Sequence, residues 1–139
     1  MNPDNVLEIS SAVDQLALVR RFLRDFCSKY TAAGFDEDHM AQLELAVNEA
    51  TANIMKHAYQ GQENQIIRLE ATAEKGRVMI CLLHNGHSFS PETVPPPSFD
   101  GSRSGGFGVF LIRECVDEVR YLQTSEGLNC IYLMKIYPE

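Results

Sequence analysis

The stretch Leu45-Ala46-Val47-Asn48-Glu49-Ala50-Thr51-Ala52-Asn53-Ile54-Met55-Lys56-His57-Ala58-Tyr59 carries two patterns at once. Met40, Leu43, Val47, Ala50, Ile54 and Ala58 advance by three or four positions, which lines them along one face of a 3.6-residue turn and predicts a helix from Asp38 to Ala58. Glu49, Asn53 and His57, each four residues from the last, form a polar row about 100° round the same helix. Ahead of it Asp36 suits the N-cap, with Phe35 and Met40 at the two positions of a hydrophobic staple. Gly61 suits the stop.

Upstream of this helix, Val6 to Ile9 reads as a short strand, and Ser11 with Asp14 as a capping box that starts another helix. Val13, Leu16, Leu23, Phe26, Cys27 and Tyr30 would face inward, and Ala33-Gly34 would end it. Downstream, Gln65 to Thr72 and Arg77 to His84 read as an antiparallel hairpin through Glu74-Lys75-Gly76. From Asn85 to Ser104 periodicity is lost among prolines, serines and glycines, so a long loop is expected. Val109 to Val116 then suits a buried helix, followed by strands Val119 to Leu122 and Leu128 to Ile136 around a turn at Gly127. This order predicts an α+β domain spanning 1–139, a two-layer sandwich with a mixed, mostly antiparallel sheet and helices on one face.

With 139 residues, 45% hydrophobic and 22% charged, the chain has the composition of one globular domain rather than of a disordered segment. A formal net charge of -7 argues against a nucleic-acid partner, since phosphate neutralisation needs clustered lysine and arginine. No run approaches the ~18 apolar residues of a membrane span, and Met1 to Asp4 lacks the features of a signal peptide. Cys27, Cys81, Cys115 and Cys130 are widely spaced with no CxxC pair, as expected of free thiols in a reducing cytoplasm.

A carboxylate and a carboxamide one turn apart can divide the labour at a metal-phosphate site. The amide oxygen of Asn53 suits a hard cation, and Glu49 can accept a proton from an attacking hydroxyl. Alone, such a pair is common on solvated helices. Gly105, Gly106 and Gly108 supply context, because glycines opening a helix let backbone N–H groups approach an anion. They form neither a Walker loop, lacking the Gly-Lys-Ser/Thr, nor a dinucleotide fingerprint, lacking a strand that leads into them. His84 and His87 invite a zinc reading, but no third ligand sits at useful spacing, and histidines in a turn are the plainer expectation. His57 could serve its helix end as a cation on the terminal carbonyls.

Three blocks in order resemble the GHKL (Bergerat-fold) ATPase/kinase superfamily, and within it the anti-sigma-factor serine kinases. Leu45 to Tyr59 is similar to the family's N box, His84-Asn85-Gly86-His87-Ser88-Phe89-Ser90-Pro91 to its Asp-x-Gly-x-x-Phe-Asp-Pro block, and Gly106-Phe107-Gly108-Val109-Phe110-Leu111-Ile112 to its second glycine block. The resemblance implies Glu49 as general base and Asn53 as magnesium ligand. It also implies ATP contacts at Asn53, His57, His84, Gly86, Phe89, Gly105, Gly106, Phe107, Gly108 and Val109, with the loop between as a lid. One departure is plain: His84 stands where the family has the aspartate that accepts a hydrogen bond from the adenine amino group. The function implied is a cytoplasmic, homodimeric protein-serine kinase using ATP and Mg2+. It would phosphorylate an anti-sigma factor antagonist and otherwise sequester a sigma factor. The alternative is a non-catalytic partner-switch module that keeps the fold and whose ATP binding is weakened or lost through His84. The catalytic part of a sensor histidine kinase ranks last, because the chain has no helix pair bearing a phosphoacceptor histidine.

Overall fold

Val78, Ile80, Leu82 and His84 alternate with Arg77, Met79, Cys81 and Leu83 along one strand, and only the first set is buried. That period of two is what a sheet covered on one side imposes. The computed structural model describes residues 5–88 and 107–138. In chain order these form β1 (Val6–Ser10), a 3-10 turn (Val13–Gln15), α1 (Leu16–Tyr30), α2 (Glu37–Asn53) continued by a π-turn (Ile54–Ala58), β2 (Ile66–Glu74), β3 (Arg77–His84), α3 (Phe107–Cys115), β4 (Glu118–Gln123) and β5 (Asn129–Ile136). The strands make one sheet in the order β1-β2-β3-β5-β4, and every neighbouring pair is antiparallel, so the expected mixed character is absent among the described strands.

The stripe read from the sequence is the core face of α2: Met40, Leu43, Val47, Ala50, Ile54 and Ala58 are all buried, joined by Ala46 and Met55. Asp36 caps the helix as expected, its carboxylate accepting the His39 N–H at 3.0 Å while the His39 ring returns a contact to the Asp36 N–H. At α1 four expectations are corrected. Ser11 makes no capping box; its hydroxyl donates to the Gln62 carbonyl at 2.6 Å and accepts the Gln65 N–H at 3.1 Å, tying β1 to the chain entering β2. Regular helix begins only at Leu16, so Val13 lies outside the buried phase at 74% exposure; Leu23, Phe26 and Cys27 face inward as expected, joined by Val19, whereas Tyr30, also expected inward, is exposed. The helix also ends earlier than Ala33-Gly34, with Thr31 as C-cap.

The hairpin is as expected in kind, with Glu74 opposite Arg77 and only Lys75-Gly76 between them. Gly76 takes a φ of +82°, a left-handed conformation costly for residues with a Cβ. On β5 one cation enters the interior. Lys135 is 7% exposed, and its ammonium donates to the Cys115 carbonyl at 2.7 Å and to the Gln42 side chain, placing positive charge at the negative end of α3. It thereby fixes α3 against α2. Lys135→Met is expected to lower stability by about 1–3 kcal/mol, the cost of a buried acceptor left unmet, read as a lower urea midpoint with an unchanged slope.

Candidate functional site

The polar row of α2 meets the first turn of α3. A Cβ built on Gly108 would stand 3.0 Å from Glu49 Oε2, 3.4 Å from Asn53 Oδ1 and 3.6 Å from Asn53 Nδ2. Glycine is therefore what lets the α3 backbone settle beside both side chains. Glu49 and Asn53 are each half-buried, and the Asn53 Nδ2 atom is buried with no hydrogen-bond partner among the described residues. Buried amides are rarely left so, and an unmet donor beside a helix start and a carboxylate is a place prepared for a polar ligand.

A second close approach closes the far end of α2. The π-turn, marked by the Tyr59 N–H reaching back to the Ile54 carbonyl at 2.9 Å, widens the last turn. The Ala58 carbonyl then accepts the His87 N–H at 2.9 Å, so helix end and strand end are joined directly. A Cβ on Gly86 would lie 2.7 Å from that carbonyl oxygen and 2.8 Å from the Tyr59 ring. Two residues not singled out from the sequence hold this junction. Tyr59 Oη lies 2.6 Å from the Ile66 carbonyl and accepts the Asn85 N–H at 3.1 Å, and Asn129 Nδ2 donates to the Gly86 carbonyl at 3.0 Å. Tyr59 ends the quoted stretch as an aromatic with a polar tip, a signal that could have been read. Asn129 gave none, because only strand pairing brings it opposite His84.

His84 is 3% exposed, and its Nδ1 accepts the Gly86 N–H at 3.2 Å. A neutral imidazole has one acceptor nitrogen, so this bond assigns the ring proton to Nε2. Burial pushes its pKa from 6.5 down to about 4. The half-buried His57 is likewise shifted down, first by burial and then by Lys56, which opposes the cationic helix-end role expected of it. Val109 is half-buried in α3 and Phe107 opens that helix; Phe89, Gly105 and Gly106 lie outside the described residues, as does 89–104 of the expected loop. Among the described residues no three His, Cys, Asp or Glu side chains are gathered to hold a metal.

An antiparallel sheet layered on one side by helices, with a carboxylate-amide helix row meeting a glycine-led helix, is the architecture of a GHKL-type ATPase domain. The chain belongs to the histidine kinase-like ATPase domain family, which it matches over residues 9–135. It is 30% identical over 139 residues to the serine-protein kinase RsbW of Listeria monocytogenes serovar 1/2a, an alignment covering 94% of this chain and 86% of that one. It is 29% identical over 128 residues to the protein of that name from Staphylococcus aureus, with 86% and 79% covered. Among solved structures, the histidine kinase domain of a blue-light activated histidine kinase from Erythrobacter litoralis shares the fold at a TM-score of 0.51 and 14% identity. That match covers 86% of this chain and 61% of the other.

The two glycines predict different failures. Gly86→Ala drives a Cβ onto backbone and is expected to cost about 1–3 kcal/mol, seen in thermal melting. Gly108→Ala meets the movable end of Glu49 and should melt near wild type. His84 sets a pH dependence. The unfolded chain binds a proton there below 6.5 and the folded chain only below about 4. Stability contributed by the neutral ring is therefore full above 6.5 and lost as pH falls towards 4. Urea midpoints should decline across that interval, and less steeply in His84→Gln.

Proposed function

We propose that the chain is a protein-serine kinase that binds ATP with Mg2+, phosphorylates an anti-sigma factor antagonist and sequesters a sigma factor. The observation that carries the reading is the convergence of Glu49, Asn53 and Gly108 at one helix junction. Membership of the ATPase family and similarity to proteins named serine-protein kinase RsbW support it from outside the site. The residues present fit a metal-bound triphosphate: the unmet Asn53 N–H donor suits a phosphate oxygen, the oxygen of the same amide suits the cation, and glycine at 108 keeps the space beside them open. Magnesium, when bound, supplies neutralisation of phosphate charge.

In this reading Asn53 holds the metal-phosphate assembly through its amide, and the N–H groups of the first turn of α3 donate to phosphate oxygens. Glu49 accepts the proton of the attacking serine hydroxyl, which requires only that it stay a carboxylate within hydrogen-bond reach of that oxygen. Phosphoryl transfer asks little covalent chemistry of a protein, so positioning by these groups carries most of the rate. His57, His84, Gly86, Phe89, Gly105, Gly106, Phe107 and Val109 complete the proposed nucleotide site. The partners are the antagonist protein, the sigma factor and a second copy of the chain, in the cytoplasm.

A second reading is favoured by one observation: the acceptor nitrogen of His84 is engaged by the Gly86 N–H, and a neutral imidazole has no second acceptor to offer an adenine amino group, itself a donor. A non-catalytic binding module follows if that mismatch abolishes ATP affinity. Calorimetric titration with Mg-ATP separates the readings: heat at up to millimolar nucleotide is expected of the kinase, and a flat trace is expected of the module. Glu49→Ala is expected to bind nucleotide within about threefold of wild type while phosphotransfer falls by a factor of about 100 or more. Equal transfer by both proteins rejects the assigned base.

A further inference from the structure

α3 is tied to α2 at both of its ends. At its start, Gly108 stands beside Glu49 and Asn53. At its end, the Lys135 ammonium joins the Cys115 carbonyl to the Gln42 side chain. Gly108 to Cys115 along α3 and Gln42 to Glu49 along α2 each rise about 10.5 Å, so the two spans match and the helices run antiparallel on a common seam. Gln42, Glu49 and Asn53 fall at i, i+7 and i+11, one row of one helix face, with the fully buried Ala46 between the two ties.

The tie at the far end starts from a fixed base. Lys135 is paired with Val78 of β3, and the backbone on either side of it is taken by Asp117, the second residue after α3. The Met134 carbonyl accepts the Asp117 N–H at 2.8 Å, and Asp117 Oδ2 accepts the Ile136 N–H at 2.7 Å. From there the Lys135 stem runs through the interior and brings three N–H donors to acceptors on two different helices. Asp117 holds the end of α3 to β5, and Gln42 extends that hold to α2. The register matters at the other end. A screw of α3 by one residue, about 1.5 Å and 100°, takes Gly108 away from Glu49 and Asn53 and turns a residue with a Cβ towards them. A Cβ at 108 itself would already stand 3.0 Å from Glu49 Oε2.

We propose that Lys135 is a positioning residue for the nucleotide site: by bridging Cys115 and Gln42 it sets the register of α3 along α2 and so holds the Gly108 turn at Glu49 and Asn53. It acts through α3 and not by contact with the reacting groups. What the turn holds rests on the kinase reading above, whereas the brace itself is a property of the free chain. Gln42 is the informative partner, because it is exposed and its loss removes the link to α2 while Lys135 keeps the Cys115 carbonyl. A donor N–H of α3 displaced by a fraction of a helical rise no longer lies at hydrogen-bond distance from a phosphate oxygen, so loosening the brace weakens binding from two helical turns away.

The test compares the full chain with Gln42→Ala, Gln42→Glu and Lys135→Met. In the free protein, amide hydrogen exchange within α3 is expected to quicken about tenfold in Gln42→Ala, with β3 amides unchanged and melting near wild type. Mg-ATP affinity, titrated by calorimetry, is expected to fall about fivefold in Gln42→Ala and about tenfold or more in Lys135→Met. Gln42→Glu keeps an acceptor for the ammonium and should restore both readouts to within about twofold of wild type, which a residue serving stability alone would not require. Wild-type exchange in α3 of Gln42→Ala overturns the brace. Equal Mg-ATP affinity of wild type and Gln42→Ala overturns its role at the site, as does failure of Gln42→Glu to restore binding. A flat trace for wild type rejects the kinase reading instead, and the exchange rates then decide the brace by themselves. Gln42→Ala keeps the comparison decisive even where Lys135→Met fails to fold.

Discussion

The rotation of α2 about its own axis is the constraint on which the molecule depends. Six apolar residues from Met40 to Ala58 are buried on one face, and turning the helix by even one residue would move every one of them about 100° out of the core. Burying such side chains is worth roughly 1.5–3 kcal/mol each for the larger ones, so the cost of rotation exceeds any gain a polar group could offer. With the stripe held, Glu49 and Asn53 have no freedom of direction: they face the first turn of α3, where glycine leaves room for them. The site is a by-product of how the core is packed.

What closes the other end of that helix is backbone geometry. The π-turn over Ile54–Ala58 shifts the last carbonyls out of α-helical register, and Ala58 uses its oxygen to receive the N–H of His87 rather than of a residue in its own helix. Such a junction admits no Cβ at Gly86, and it stacks the strand end, the helix end and the Tyr59 ring within contact distance. Lys135 does the corresponding work at the other end of α3 by meeting the Cys115 carbonyl. The two anchors act on different elements, yet both fix positions relative to α2.

The parts of this arrangement that were legible in the sequence are those with a period. The stripe of α2, the alternation of β3 and the hairpin turn at Gly76 each repeat a local rule, and each stands in the structure where the rule put it. What was not legible depended on partners distant in sequence. Ser11 looked like a helix cap because serine three residues before aspartate is a local pattern, but its hydroxyl is claimed by Gln62 and Gln65, fifty residues on. Val13 had the right spacing for a helix that starts three residues later. Asn129 and Lys135 were invisible for the same reason. At the site, the nearness of Glu49, Asn53 and Gly108 came from a resemblance joined to helix periodicity, whereas the engagement of His84 by Gly86 required coordinates.

Charge sets a condition on the proposed chemistry. The chain carries a formal net charge of -7, and the candidate site brings a carboxylate, Glu49, within reach of the point where phosphate would lie on the proposed reading. Two like unit charges 4 Å apart at an effective dielectric of 20 repel by about 4 kcal/mol, which exceeds the ~0.3–1 kcal/mol a helix end offers an anion at an exposed position. On the proposed reading, amide donors on α3 and the Asn53 side chain would hold a triphosphate against that repulsion, and a divalent cation would supply the charge neutralisation that offsets it. If Glu49 is the base of the proposed reaction, magnesium would therefore strengthen nucleotide binding at this junction, whatever protein presents the hydroxyl.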